Sequence, residues 1–223
     1  LGGMSWESSV EYERLINTEV RRRLGGATSG DLIVRSYDFD RIERLQEAGD
    51  WERLGSLLAT DAAALAAAGA EVILLATNTM HIVADRIAAA IDVPFLHIGD
   101  VTADAIRSAG IDTVALLGTR YTMEQGFYRD RLVTAGITTH VPEDADRAEI
   151  HRIIYDELVR GVVEDDSRST ALGIIDRLVG DGAAGIIAGC TEIELLVPPD
   201  IVEVPYFPTT RLHALAAVEF ALA

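Results

Sequence analysis

Two short stretches carry side chains suited to proton transfer and anion recognition. "ATNTMH" places Thr77, Asn78, Thr79, Met80 and His81 directly after the apolar run Val72–Ala76, and "AGCTE" places Cys190, Thr191 and Glu192 directly after Gly185–Gly189. Cys190 is the only cysteine of the chain. A thiol at the exit of a strand and the start of a helix is expected to ionise readily, which makes it a base or nucleophile. Hydroxyls, amides and free backbone N–H groups at such helix starts favour a carboxylate. The simpler alternatives are that Thr77, Asn78 and Thr191 cap helices, and that Cys190 fills space as a small hydrophobe. Two strand ends of like design suggest two halves of one site.

Two more segments have the same character. Gly2, Gly3, Met4 and Ser5 follow Leu1, and Gly118 and Thr119 follow the run 113–118. In open α/β sheets ligands gather outside the carboxyl ends of strands. No GxGxxG follows Leu1 and no Walker A pattern occurs, so nucleotide binding has little support. His81, His97, His140, His151 and His213 lack metal-ligand spacing, and no metal site is expected. His81, just past the Thr-Asn-Thr turn, either packs locally or serves near the site.

Residues of this kind need strands and helices to hold them. Strand-like runs occur at 31–39, 72–76, 93–98, 113–118, 185–189 and 204–207, with amphipathic stretches at 8–24, 50–68, 80–91, 100–109, 122–135, 146–161, 167–181 and 210–222. Ser8 with Glu11 and Thr122 with Gln125 read as helix-capping pairs. The alternation predicts an α/β fold with parallel sheets and right-handed crossovers. Continuously apolar strands fit sheets covered on both faces. The alanine-rich run 60–70 reads as an ordinary packed helix. No flexible linker divides the chain, so two domains would be joined by crossings near 95–100 and 203–208. One domain or two both remain open at this length; with two, the first would comprise 1–97 plus 207–223 and the second 98–206. "LGGMSW" reads as the turn after a first strand of which only Leu1 is present, an expectation of an incomplete N-terminus.

The composition narrows the class. A chain of 223 residues, 49% apolar and 25% charged, is an ordinary globular protein, and its net charge of −17 argues against nucleic acid as a partner. No apolar run approaches the roughly 18 residues of a spanning helix. One cysteine fits a reducing, cytoplasmic setting. All positive residues are arginine. Without a lysine no Schiff base to pyridoxal phosphate can form, so that class is excluded.

"LGGMSWES", "TNTMH", "LGTRYTMEQ" and "GCTEIELLV", in this order along the whole chain, resemble the aspartate/glutamate racemase superfamily. They are most similar to its bacterial branch of broad-specificity and L-aspartate/glutamate-specific racemases. The resemblance implies two similar Rossmann-like domains with the active site between them, no cofactor, an amino-acid substrate and a homodimer. It assigns the two catalytic positions to Thr77 and Cys190. Where most of the superfamily has a pair of cysteines, this chain has a threonine at the first position. Met4, Ser5, Trp6, Gln46, Asn78, Thr79, Met80, Thr191 and Glu192 become substrate contacts, with Thr119 a weaker candidate. An aliphatic hydroxyl is a far weaker acid than a thiol, so Cys190 is expected to be the thiolate base, with Thr77 donating or relaying a proton. Arg44, Arg120 or Arg160 could hold a side-chain carboxylate. A single-cysteine decarboxylase or isomerase, or a non-catalytic amino-acid-binding protein, stays open as an alternative.

Overall fold

The computed structural model describes residues 1–223. The chain divides into two compact units, Leu1–Ile98 with Thr210–Ala223, and Gly99–Thr209. Each is an α/β arrangement in which parallel strands are flanked by helices.

In the first unit, β1 (Ile73–Leu74) pairs in parallel with β2 (Phe95–Leu96). The backbone of Leu1 lies along the other side of β1, donating from its amine to the Leu74 carbonyl at 2.8 Å and accepting from Ala76 N–H at 2.8 Å. Gly2 in turn bridges in parallel to Ser36. The expected strand at 31–39 is otherwise a correction. Residues 31–35 form no strand, and α2 (Phe39–Glu47) begins inside the predicted run. A β-prone run becomes a strand only where another backbone pairs with it. Here Gly2 meets only Arg35 and Tyr37, leaving Leu32, Ile33 and Val34 exposed. Helices α1 (Trp6–Leu24) and α3 (Trp51–Ala67) complete this unit's frame. In α3, Leu54, Leu58, Ala62 and Leu65 recur at helical spacing and are buried, so the alanine-rich run is indeed a packed helix. Their cluster includes Met4, Ile42, Leu75 and Met80.

The second unit has a four-stranded parallel sheet in the order β4 (Thr138–His140), β3 (Thr113–Gly118), β5 (Ile186–Gly189), β6 (Tyr206–Pro208). Its central strands β3 and β5 are apolar and almost wholly buried, as continuous apolar runs should be. Because β6 extends to Pro208 and pairs with β5, the sheet carries residues 207–208 into this unit. Helices α5 (Ile98–Ser108), α7 (Gly126–Thr134), α8 (Asp144–Arg152) and α9 (Asp165–Gly180) surround the sheet. The predicted helix at 146–161 breaks into a π turn at Ile153–Glu157 and a 3₁₀ turn at Leu158–Arg160. The last helix, Thr209–Ala221, returns the chain to the first unit.

Candidate active site

In the first unit the ends of two neighbouring backbone segments start the site. The Ala76 N–H bond to Leu1 puts the turns 2–5 and 77–80 side by side. After Ala76 the chain turns sharply, Thr77 N–H reaching back to the Leu75 carbonyl at 2.8 Å. A 3₁₀ helix then runs from Thr79 to Val83, with Asn78 at its cap position but no capping bond from the Asn78 side chain. Thr77 is half-buried, while Asn78, Thr79 and Met80 are buried. Gln46, buried on α2, donates from Nε2 to the Met80 sulfur at 3.1 Å. Two residues predicted as substrate contacts, distant in sequence, are thereby joined. Met4 shares the cluster that buries Met80. Trp6 stands apart from these, 63% exposed at the start of α1.

His81 fastens this turn. Its ring lies 2.8 Å by Nδ1 from the Thr77 carbonyl, and its Nε2 accepts from Ile98 N–H at 3.2 Å. A nitrogen that accepts carries no proton, so Nδ1 bears the hydrogen and donates to Thr77. His97 packs edge-on against the ring at 4.5 Å between centroids. Deeper, Tyr12 and His213 bond at 2.8 Å, and His213 Nε2 meets the Leu96 carbonyl at 2.9 Å. Burial holds His213 down to about 4, with the Leu96 bond working against it, so the ring is neutral.

In the second unit, β3 and β5 end together, Gly118 in register with Gly189. The strands meet closely there. A Cβ built on Gly118 would lie 2.9 Å from the Gly189 carbonyl oxygen, and one on Gly189 2.9 Å from that of Leu117. Beyond β3, Thr119 caps the short helix α6 (Arg120–Glu124) by accepting from Thr122 N–H at 3.3 Å. Ser5 does the same for α1, accepting from Ser8 N–H at 3.4 Å. Both are corrections: the caps are Ser5 and Thr119, and the predicted Ser8 and Thr122 lie inside their helices.

Beyond β5, Cys190 occupies the cap position of α10 (Thr191–Leu196) in extended conformation. It is half-buried, as is Thr191. Its Sγ donates to Oε2 of Glu192 at 2.9 Å, and Glu192 is itself buried. This overturns the expected resting thiolate. The residue keeps a partial opening, but the thiol is deep enough for desolvation to be the largest influence, and the Glu192 charge and hydrogen bond add to it. Together they push the thiol well above its ordinary pKa, against the backbone N–H groups of Glu192 and Ile193. Cys190 rests as S–H. The spacing Cys-x-Glu at a strand exit is the sequence signal for this pairing.

Of the three candidate arginines, Arg44 is paired with Asp40 on the surface of α2. Arg160 ends the 3₁₀ turn after α8. Arg120 follows Thr119 directly, its guanidinium 5.9 Å from the Tyr121 ring centre, while its backbone N–H donates to His151 Nδ1 at 3.3 Å. Burial and the Arg120 charge hold His151 below its ordinary pKa. No group of three or more His, Cys, Asp and Glu side chains could hold a metal, and no helix is long and apolar enough to cross a membrane. A cavity of about 480 Å³ in the first unit is lined by Leu1, Tyr12, Leu32, Ile33, Val34 and Ala76 among others, and by none of the predicted catalytic or substrate-contact residues.

The family model of the Asp/Glu/Hydantoin racemases matches residues 1–217. The chain belongs to this family. It is 52% identical to a candidate Asp/Glu racemase from Yersinia pestis whose crystal structure covers all of this chain and 97% of its own, with a TM-score of 0.93. An aspartate racemase homologue from Pyrococcus horikoshii OT3 is 33% identical over 100% of this chain and 97% of that one, with a TM-score of 0.85. The aspartate racemase of Picrophilus torridus, at 21% identity, covers 99% of this chain and 91% of that one with a TM-score of 0.73, a likeness of fold alone.

Proposed function

We propose that this racemase-family protein inverts the α-carbon of a free amino acid without a cofactor, Cys190 serving one face and Thr77 the other. The observation that carries the reading is the Cys190–Glu192 hydrogen bond of 2.9 Å at the carboxyl end of β5. A thiol held protonated beside a buried carboxylate is a proton carrier with its acceptor already in place. Glu192 takes the thiol proton, and the thiolate removes the α-hydrogen. The resulting carbanion receives a proton on its other face from the Thr77 hydroxyl, which water resupplies. The hydroxide so formed takes the proton held by Glu192, which returns thiol, hydroxyl and carboxylate to their starting forms. The opposite enantiomer runs the steps in reverse, so atoms and charge balance over the cycle. General acid–base groups of this kind contribute about 10²–10⁴-fold each.

Ser5, Asn78, Thr79 and Thr191 serve the substrate's carboxylate and ammonium groups in this reading, with Gln46 and Met80 shaping the turn that carries two of them. Aspartate or glutamate is the substrate favoured by the family name. Arg120, the first residue past Thr119, is the cation best placed in its own unit to meet a side-chain carboxylate. A cytoplasmic homodimer completes the proposal. The test is an NMR screen of L- and D-amino acids in deuterium oxide, scoring α-proton loss and inversion. A protein that washes out no α-hydrogen from any of them is not a racemase.

One observation favours a second reading. A resting thiol is equally suited to protonating a carbanion left by decarboxylation, which needs one cysteine only. Release of carbon dioxide from a substituted malonate, without inversion of any amino acid, would establish it.

A further inference from the structure

We propose that His81 is a positioning residue: its imidazole clasps the Thr77 carbonyl to the Ile98 N–H and thereby sets the direction of the Thr77 hydroxyl. The inference rests on the reading of Thr77 as a proton carrier. Three observations support it. The ring makes two hydrogen bonds, at 2.8 Å and 3.2 Å, to backbone groups of different segments. Only one tautomer satisfies both, the one with its proton on Nδ1. The ring is also braced on its sides, by His97 at 4.5 Å, Phe95 at 5.7 Å and His213 at 5.9 Å between centroids.

The need for a clasp follows from the backbone. Thr77 stands where β1 has ended and the 3₁₀ helix has not begun, so ladder and helix both leave its carbonyl unbonded. Asn78, at the cap position, contributes no capping bond. His81 reaches back four residues to supply the missing donor, then uses its second nitrogen on Ile98, where the first unit's N-terminal segment ends. A hydroxyl that must approach one face of a substrate carbon tolerates little displacement, and an error near 1 Å costs about 10²-fold in rate.

Two substitutions separate the halves of the clasp. In His81→Asn the amide N–H falls near the place of Nδ1 and retains the bond to Thr77. In His81→Gln the amide oxygen reaches the place of Nε2 and retains Ile98 while giving up Thr77. The measurement is the ratio of enantiomer inversion to α-hydrogen washout in deuterium oxide, because inversion needs both faces and washout by Cys190 needs one. For His81→Asn this ratio should stay near that of the unmodified protein. For His81→Gln it should fall about tenfold or more, with washout and KM little changed. A merely structural histidine would move inversion and washout together, and that result overturns the proposal.

The ¹⁵N spectrum of the unmodified protein gives a readout independent of turnover. A protonated Nδ1 and a bare Nε2 at His81 are expected, and the opposite tautomer overturns the clasp. If the unmodified protein exchanges no α-hydrogen, the racemase reading fails, and the His81 role falls with it even where the nitrogen spectrum shows the expected tautomer.

Discussion

Cys190 and Glu192 form a hydrogen-bonded pair in which the sulfur is the donor, at 2.9 Å. Two residues apart, they bracket the first turn of α10, so a single local conformation fixes their separation. Burial does most to keep the thiol protonated at rest, and the carboxylate that adds to this effect is also the group that can receive its proton.

Removing the sulfur should end the chemistry. Cys190→Ala is expected to abolish α-hydrogen washout of both enantiomers, read by proton NMR in deuterium oxide, while unfolding by urea stays close to that of the unmodified protein. Residual washout at more than a trace would mean another base.

Replacing Thr77 should divide the reaction. In Thr77→Ala, washout of one enantiomer by Cys190 remains measurable while inversion is lost. Loss of both, with the fold intact by circular dichroism, would contradict the division of labour between the two residues.

Glu192→Gln separates acidity from activity. The carboxylate raises the Cys190 pKa by its charge and hydrogen bond, so the thiol should become more acidic without it. The pH midpoint of thiol alkylation should therefore move down. Turnover should still fall, by about 10²-fold or more, because the proton acceptor is gone. A variant of unchanged activity would return Glu192 to a structural role.

The same balance of burial and charge predicts a pH dependence of stability. His213 is fully buried and its pKa is lowered to about 4 from 6.5. Between these values the unfolded chain binds more protons than the folded one, so stability rises with pH across the window and is fully present above it. The amplitude is about 3 kcal/mol. Urea midpoints collected from pH 4 to 7 should show this slope, and His213→Gln should flatten it.

How much of this was legible depended on what the residues had beside them. The β3 strand was readable because its residues are buried on both faces, and such burial leaves an unbroken apolar run. The run 31–39 looked alike but lacked a pairing partner beyond Gly2, and no composition reveals that. The helix caps were misplaced by three residues for a definite reason. "SWES" and "TRYT" each carry hydroxyls at both positions, which even bond to each other at 3.3 Å and 3.2 Å, and the helices begin at the earlier one. The ionisation of Cys190 is misread from sequence, since the helix N–H groups are weighed there without desolvation or Glu192. The link from Gln46 to Met80 joins residues whose sequence distance gave no hint of contact.

Gly189→Ala should be costly. The new methyl would meet the Leu117 carbonyl oxygen and the Leu116 side chain, each at 2.9 Å. Backbone cannot yield as a flexible side chain does, so a loss of about 1–3 kcal/mol is expected by chemical denaturation. A neutral result would mean that β3 and β5 can separate at their ends.

That bare glycine pair has a practical consequence for anyone wishing to retrain the protein on another amino acid. With no side chain between them, the two strands offer nothing to trim or enlarge, and variation at 118 or 189 would sample mostly unfolded chains. On the proposed reading, a combinatorial library for altered substrate choice belongs just downstream, at 120, 121 and 191, with Thr119 kept because its hydroxyl caps the helix that follows.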